Sequence, residues 1–295
     1  MSHRAAVGLM LLVTLLWSSA GVVSRQLQQA QGFEVTFWRS AFTALALVPL
    51  LLWLRGRALF TALRSGGWSL WASGVFWALQ FSAFMLALTM TSVANVLVTM
   101  SLGPLLTALF ARSFLHQRLA ARTWFAILLA SLGIGWMFAQ QAQLGQGWQG
   151  MLVALCVPLG AAANWCLLQS VAARSPGRTG ADMLPAVLLG ATLSAVCLLP
   201  LAWPLRANAQ DLAWLSSLGL FQLAVPCLLV VHLMRVLPAH EVALLGQMET
   251  LLGVLWAWLF AGETPGPAAL MGAALVLLAL AINELLAPRV PAPVA

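Results

Sequence analysis

The sequence has no lysine, no tyrosine and only two aspartates, Asp182 and Asp211. Without lysine there is no phosphate-loop cation and no amine for a Schiff base. Nucleotide-driven transport by this chain alone is therefore disfavoured. Charge of either sign is scarce, at 7% of residues. His240-Glu241 does not continue as a zinc-binding HExxH motif, and no other His/Cys group has ligand spacing. Cys156, Cys166, Cys197 and Cys227 all fall in apolar stretches, without the spacing of a metal site or a secreted disulfide framework. These absences argue against a membrane-embedded enzyme and imply no metal and no cofactor.

What remains is apolar. Of 295 residues, 62% are hydrophobic and the mean hydropathy is +0.95, which places the chain in lipid rather than water. A net charge of +7 would suggest nucleic acid in a soluble protein. Membrane topology explains it better here, so the expected partners are the bilayer and a small-molecule substrate, with no nucleic acid. The first apolar run reads as a retained helix, because no polar mature domain follows it. The oligomeric state is not legible.

A spanning helix needs roughly 20 mostly apolar residues. Such runs fall at 5–24, 33–54, 68–88, 92–114, 122–140, 148–169, 182–203, 212–234, 240–260 and 266–287. The connections are short and punctuated by glycine and proline, among them Gly66-Gly67, Gly145, Gly147, Pro176-Gly177 and Thr264-Pro265-Gly266. Arginine placement tests the count, since cytoplasmic loops are enriched in basic residues. With the N-terminus inside, Arg4, Arg55, Arg57, Arg64, Arg112, Arg118, Arg122, Arg174, Arg178, Arg235 and Arg289 lie at inner ends. Only Arg25, Arg39 and Arg206 lie at outer ends. That asymmetry predicts an even number of spans and cytoplasmic termini; the expected location is a bacterial-type inner membrane.

A shift of half the chain lays Asn95-Val96 on Glu241-Val242, Gly103-Pro104-Leu105-Leu106 on Glu249-Thr250-Leu251-Leu252, and Phe114-Leu115-His116-Gln117 on Phe260-Ala261-Gly262-Glu263. The chain thus reads as two five-helix repeats, 1–144 and 145–295. Five is odd, so the second copy enters the membrane from the opposite side. The expected fold is all-α, ten transmembrane helices in two inverted five-helix repeats.

These residues resemble the drug/metabolite transporter superfamily, specifically its ten-helix members built of two EamA-type repeats. Leu16-Trp17-Ser18-Ser19 is similar to that family's tryptophan-plus-small-residue start. Phe37-Trp38-Arg39-Ser40-Ala41 is similar to its arginine followed by alanines, and Leu259-Phe260-Ala261-Gly262-Glu263-Thr264-Pro265 to its glycine-glutamate ending. Gly103-Pro104 resembles its mid-helix proline. The chain departs from the pattern at Gln117, where glutamate is usual, and at Thr250, where proline is common. The resemblance implies a secondary transporter, commonly an exporter of amino acids, related metabolites or drugs, working by alternating access around a midplane cavity. A channel or a membrane-embedded enzyme is the alternative class.

Polar residues sharing one face of a lipid-embedded helix point to a water-filled path. Ser92, Asn95, Thr99 and Gly103 recur at steps of three, four and four, close to one face at about 100° per residue. Their repeat partners are Pro238, Glu241, Leu245 and Glu249. The alternative is that small residues there only allow close helix packing. Thr14, Ser18, Gly21 and Arg25 form a similar stripe. Glu249 stands out because a mid-span carboxylate costs a few kcal/mol; it is either a coupling or substrate-recognition group or a hydrogen-bonding tie between helices. Glu241 lies nearer a membrane edge, where charge is cheaper. Arg39 and Arg25 either meet a substrate carboxylate or snorkel to headgroups. Gln80, Asn164, Gln222 and His232 either line the path or bond between helices. Of the tryptophans, Trp17, Trp77, Trp165 and Trp256 lie deep, against an amphipathic substrate or against lipid. Glu263 reads as structural, with Thr264 an N-cap and Pro265 the first helical residue.

Overall fold

In the computed structural model, residues 1, 3–115, 120–143, 147–174 and 182–285 are described. Gln117, Arg118, Pro176-Gly177, Arg178 and Arg289, together with Gly145, lie outside them. The apolar runs form helices because a backbone in lipid can satisfy its amides only internally. We label the membrane helices α1 (His3–Ser24), α2 (Phe33–Arg55), α3 (Gly67–Met90), α4 (Val93–Leu115), α5 (Ala121–Gln143), α6 (Trp148–Arg174), α7 (Pro185–Ala202), α8 (Ala209–Leu233), α9 (Ala239–Ala261) and α10 (Pro267–Leu285). Eight are long and apolar enough to cross a bilayer, while α5 and α10 carry the shorter apolar stretches Trp124–Gln140 and Pro267–Ala279.

Pairing between helices reveals the architecture. Exchange each helix of the first half for the one five places later. Then α3–α6 becomes α8–α1, α4–α6 becomes α9–α1, and α3–α7 becomes α8–α2, and all of these pairs are in contact. The pairs α2–α7, α4–α9 and α5–α10 map onto themselves and are also in contact. Each helix crosses once, so helices five apart run in opposite directions. The result is the two inverted repeats that the duplication predicts. At the α5–α10 crossing a Cβ on Gly133 would lie 3.2 Å from the Gly272 carbonyl, and one on Gly272 would lie 3.3 Å from the Gly133 carbonyl. Only glycine lets the two backbones approach this closely.

Local chemistry modifies four of the expected spans. The first breaks at Ser19, giving His3–Ser18 and Ala20–Ser24. The fourth is not continuous: Val93–Met100 and Gly103–Leu115 flank a turn at Ser101-Leu102, because Pro104 offers no N–H to the Met100 carbonyl and its ring crowds that carbonyl. In α8, a π-helical segment Leu218–Ala224 precedes Pro226, whose missing N–H and ring crowding at the Gln222 carbonyl are accommodated by the wider turn. The tenth starts at Pro267 rather than Pro265, so Thr264 is not its N-cap. Gly266 precedes a proline and is steered away from helical geometry. A short helix, Ala58–Ser65, also sits in the α2–α3 connection, which the sequence marks only by its glycines.

Candidate functional site

A cavity of about 120 Å³, room for on the order of ten waters, lies between the two halves. The first half contributes Trp17 of α1, Arg39 of α2, Trp77, Gln80, Phe81 and Phe84 of α3, and Met100 and Gly103 of α4. The second contributes Val157, Pro158, Ala161 and Trp165 of α6, Gln222, Leu223 and Cys227 of α8, and six residues of α9 from Val242 to Thr250, Glu249 among them. The α4 break, the α8 widened turn and Pro158 all occur at this wall. Helix irregularity is tolerated in a membrane where it faces a cavity.

Arg39 does not snorkel. It is fully buried, donating Nη1 to Gln222 Oε1 (3.0 Å) and Nη2 to the Phe81 carbonyl (2.8 Å). Its guanidinium carbon lies 5.6 Å from the centre of the Phe84 ring. Its Nε is buried without a hydrogen-bond partner. Gln222, presented by the widened turn of α8, also donates Nε2 to the Trp17 carbonyl at 3.4 Å, tying α1, α2 and α8 together. Across the cavity Glu249, buried at 9% exposure, makes no ion pair with Arg39 among the described residues. One cation from the first half and one carboxyl from the second thus face a common space. The rest of the wall is mostly apolar and includes the rings of Trp17, Trp77, Phe81, Phe84 and Trp165: Trp77 packs edge-on to Trp165 at 5.4 Å and tilted against Phe81 at 5.3 Å. These deep tryptophans meet the cavity, whereas Trp53, Trp68 and Trp203 are exposed on the outer surface of the bundle, as interfacial anchors are.

The structure brings together Glu249, Arg39, Trp17, Gln80 and Gln222. The other expected residues lie elsewhere. Asn95 donates Nδ2 to Thr91 Oγ1 (2.9 Å), and Thr99 donates its hydroxyl to the Asn95 carbonyl (2.7 Å); both are buried in helix packing. Ser18 donates to the Leu15 carbonyl and accepts from Trp256 Nε1 at 3.1 Å. Asn164 accepts from Ser73 at 2.7 Å. Glu241 pairs with His3 at 2.9 Å, with the His3 side chain exposed. Extrapolation of the stripe failed because the α4 break comes just before Gly103, and Gly103 alone of its four members lines the cavity. On α9 the lining face is centred on Val242, Gly246 and Thr250, about one residue round the helix from the expected stripe, of which Glu249 lines the cavity and Glu241 and Leu245 do not.

Sequence reasoning missed Gln247 and Thr250. Gln247 lines the cavity with a buried, unpartnered Oε1. Thr250 donates to the Leu97 carbonyl at 3.3 Å. Thr250 stands where the repeat would place a proline, and α9 accordingly runs unbroken over Ala239–Ala261. No group of three or more His, Cys, Asp or Glu suited to a metal is present among the described residues.

A family model for EamA-like transporters matches residues 4–139 and again 148–284. A crystal structure of a protein 19% identical in sequence superimposes with a TM-score of 0.65 over 98% of this chain and 100% of its own; at that identity it attests the fold alone. No curated protein matches. The doubled match spans most of a chain whose helices pair as two inverted copies around a shared cavity, and the chain belongs to the EamA-like transporter family, a multi-pass membrane transporter and not an enzyme.

Proposed function

We propose that the protein is a secondary active exporter of small metabolites such as amino acids, or of drug-like amphipathic compounds, working by alternating access. One observation carries the reading: a mostly apolar cavity with five aromatic rings, between inverted halves, holds Arg39 from one half and Glu249 from the other, without an ion pair between them. A buried charge without a full complement of partners is costly, and a zwitterion with its carboxylate toward Arg39 Nε and its ammonium toward Glu249 would offset that cost. The flat rings of Trp17, Trp77 and Trp165 suit an apolar side group. Glu249 is the coupling group, exchanging a proton as the cavity fills and empties. Residues 1–144 and 145–295 act as the two rocking units, with the His3 end of α1 on the cytoplasmic side.

The test replaces Glu249 with glutamine in proteoliposomes. A panel of zwitterionic amino acids and amphipathic cations, screened by thermal stabilisation, supplies the probe. Glu249→Gln is expected to fold and to keep exchange between loaded vesicles, yet to lose accumulation driven by a pH gradient. Unchanged gradient-driven transport would leave Glu249 a structural tie. Non-saturating conductance in place of saturable counterflow would replace the carrier with a channel.

A further inference from the structure

Beyond the cavity, the α1 end opposite His3 carries an ion pair that the transport reading leaves unused. Arg25 follows the last turn of α1. Its Nε donates to Glu263 Oε1, while Nη1 donates to the Leu88 carbonyl (2.9 Å) and Nη2 to the Thr91 carbonyl (3.0 Å) at the end of α3. The second oxygen of Glu263 accepts from the Val93 amide at 2.9 Å, the first residue of α4. Gly262, at φ +66°, ends α9 in the left-handed conformation, and the Glu263 amide folds back to the Ala257 carbonyl at 3.2 Å. Four helix ends therefore meet in one pair of side chains, each partly screened from water. Carboxylate at a helix N-terminus and guanidinium at a helix C-terminus both oppose the helix dipole favourably.

Beneath this pair the same helices are fastened together down to the cavity. Trp256 of α9 bonds Ser18 of α1, and Thr250 of α9 bonds the Leu97 carbonyl of α4. A Cβ on Gly253 would fall 2.5 Å from Leu97 Cδ1, and one on Gly21 would fall 2.6 Å from Val93 Cγ1. Toward the other face, by contrast, α9 lines the cavity, and a Cβ on Gly246 would meet nothing within 4 Å. The repeat does not reproduce the pair there, because the residue matching Glu263 is Gln117, which carries no charge.

We propose that Arg25 and Glu263 form a one-sided gate: they latch the ends of α1, α3, α4 and α9 closed over the cavity, and must separate for it to open on the Arg25 face. This rests on the alternating-access reading. At the opposite face the ion pair joining α1 and α9 is His3 with Glu241, whose His3 side chain is exposed, whereas both members of the Arg25–Glu263 pair are partly screened. The latch therefore biases the resting carrier toward closure on the Arg25 face.

The experiment needs no substrate. In full-length protein with its four native cysteines replaced, one reporter is Ala20→Cys, at a site fully buried beneath the latch. The other is Gly246→Cys in the cavity. Each is labelled in proteoliposomes with a membrane-impermeant maleimide added to the face it reports on. Glu263→Gln and, separately, Arg25→Gln are expected to raise the Ala20→Cys labelling rate about tenfold, the factor that roughly 1.4 kcal/mol of lost closure would give, and to lower Gly246→Cys labelling. Arg25→Lys, which keeps charge but not the fork of donors, should fall between. Faster Ala20→Cys labelling with Gly246→Cys unchanged would support the gate and overturn alternation. Parent-like Ala20→Cys labelling in both folded glutamine variants would overturn the gate, whatever becomes of transport. Should either variant fail to insert, the other glutamine variant and Arg25→Lys decide by the same rates.

Discussion

Asp211 shows how the scarce charges are spent. Its carboxylate accepts from the backbone amides of Gln28 (2.8 Å), Gln29 (2.9 Å) and Ala30 (2.9 Å), while its own amide bonds the Asn208 side chain at 2.7 Å. Glu34 does the same for Arg206 and Ala207, at 2.7 and 2.8 Å. Two acids thereby fasten the α1–α2 and α7–α8 connections to each other. Hydrogen bonds to a charged group contribute about 1.5–3 kcal/mol each, and asparagine keeps only one accepting oxygen. Asp211→Asn should therefore cost roughly 2–4 kcal/mol, seen as a lower Tm in detergent. Asp182→Asn, removing a partly exposed pair with Arg55, should cost no more than about 1 kcal/mol. Neither acid's role could be read beforehand, since its partners lie a half-chain away in sequence. Glu249 was legible for the opposite reason: a carboxyl inside an apolar run is conspicuous on its own.

At the level of elements, the prolines and glycines decide what faces the cavity. The α8 widened turn delivers Gln222 to Arg39, and Gly219 in that turn touches α2: a Cβ there would lie 2.8 Å from Phe42 Cβ, 2.9 Å from the Thr43 amide nitrogen and 3.0 Å from the Arg39 carbonyl. Backbone cannot yield as a side-chain tip can. Gly219→Ala should therefore destabilise by about 1–3 kcal/mol and weaken transport by displacing Arg39. Gly135→Ala in α5, with nothing within 4 Å of the new Cβ, should be neutral or stabilise by up to about 1 kcal/mol through better helix propensity. Thermal unfolding of the two variants side by side checks the contrast. Gly103-Pro104 stands out in the sequence as a mid-helix proline, yet the stripe from Ser92 to Gly103 assumes one continuous helix, and α4 breaks just before it. The turn before Pro226 did not show in advance, because periodicity describes apolar faces and says nothing of a locally widened helix.

Across the whole molecule, hydropathy and duplication predicted ten helices in two inverted copies, because lipid leaves the backbone few choices. The composition of the cavity wall was less legible. Half of it is aromatic and aliphatic side chains, indistinguishable in sequence from those that face lipid or core, and contact between helices of different halves assigns them. The arginine asymmetry further predicts that tags on both termini are protected from impermeant reagents in intact cells; labelling of both would reverse the orientation, and labelling of one alone would overturn the even number of spans. The α5–α10 pairing carries a consequence for synthesis. Ala126, Ala130 and Met137 are fully buried, and Ile134 nearly so, on a face of α5 that α10 covers. In the order of synthesis α6, α7, α8 and α9 come between those residues and their partner helix. Until α10 is made, that face of α5 lacks the helix that buries it. The first repeat is therefore completed by α10 rather than by its own five helices, so a ribosome that stops before α10 leaves both copies unfinished.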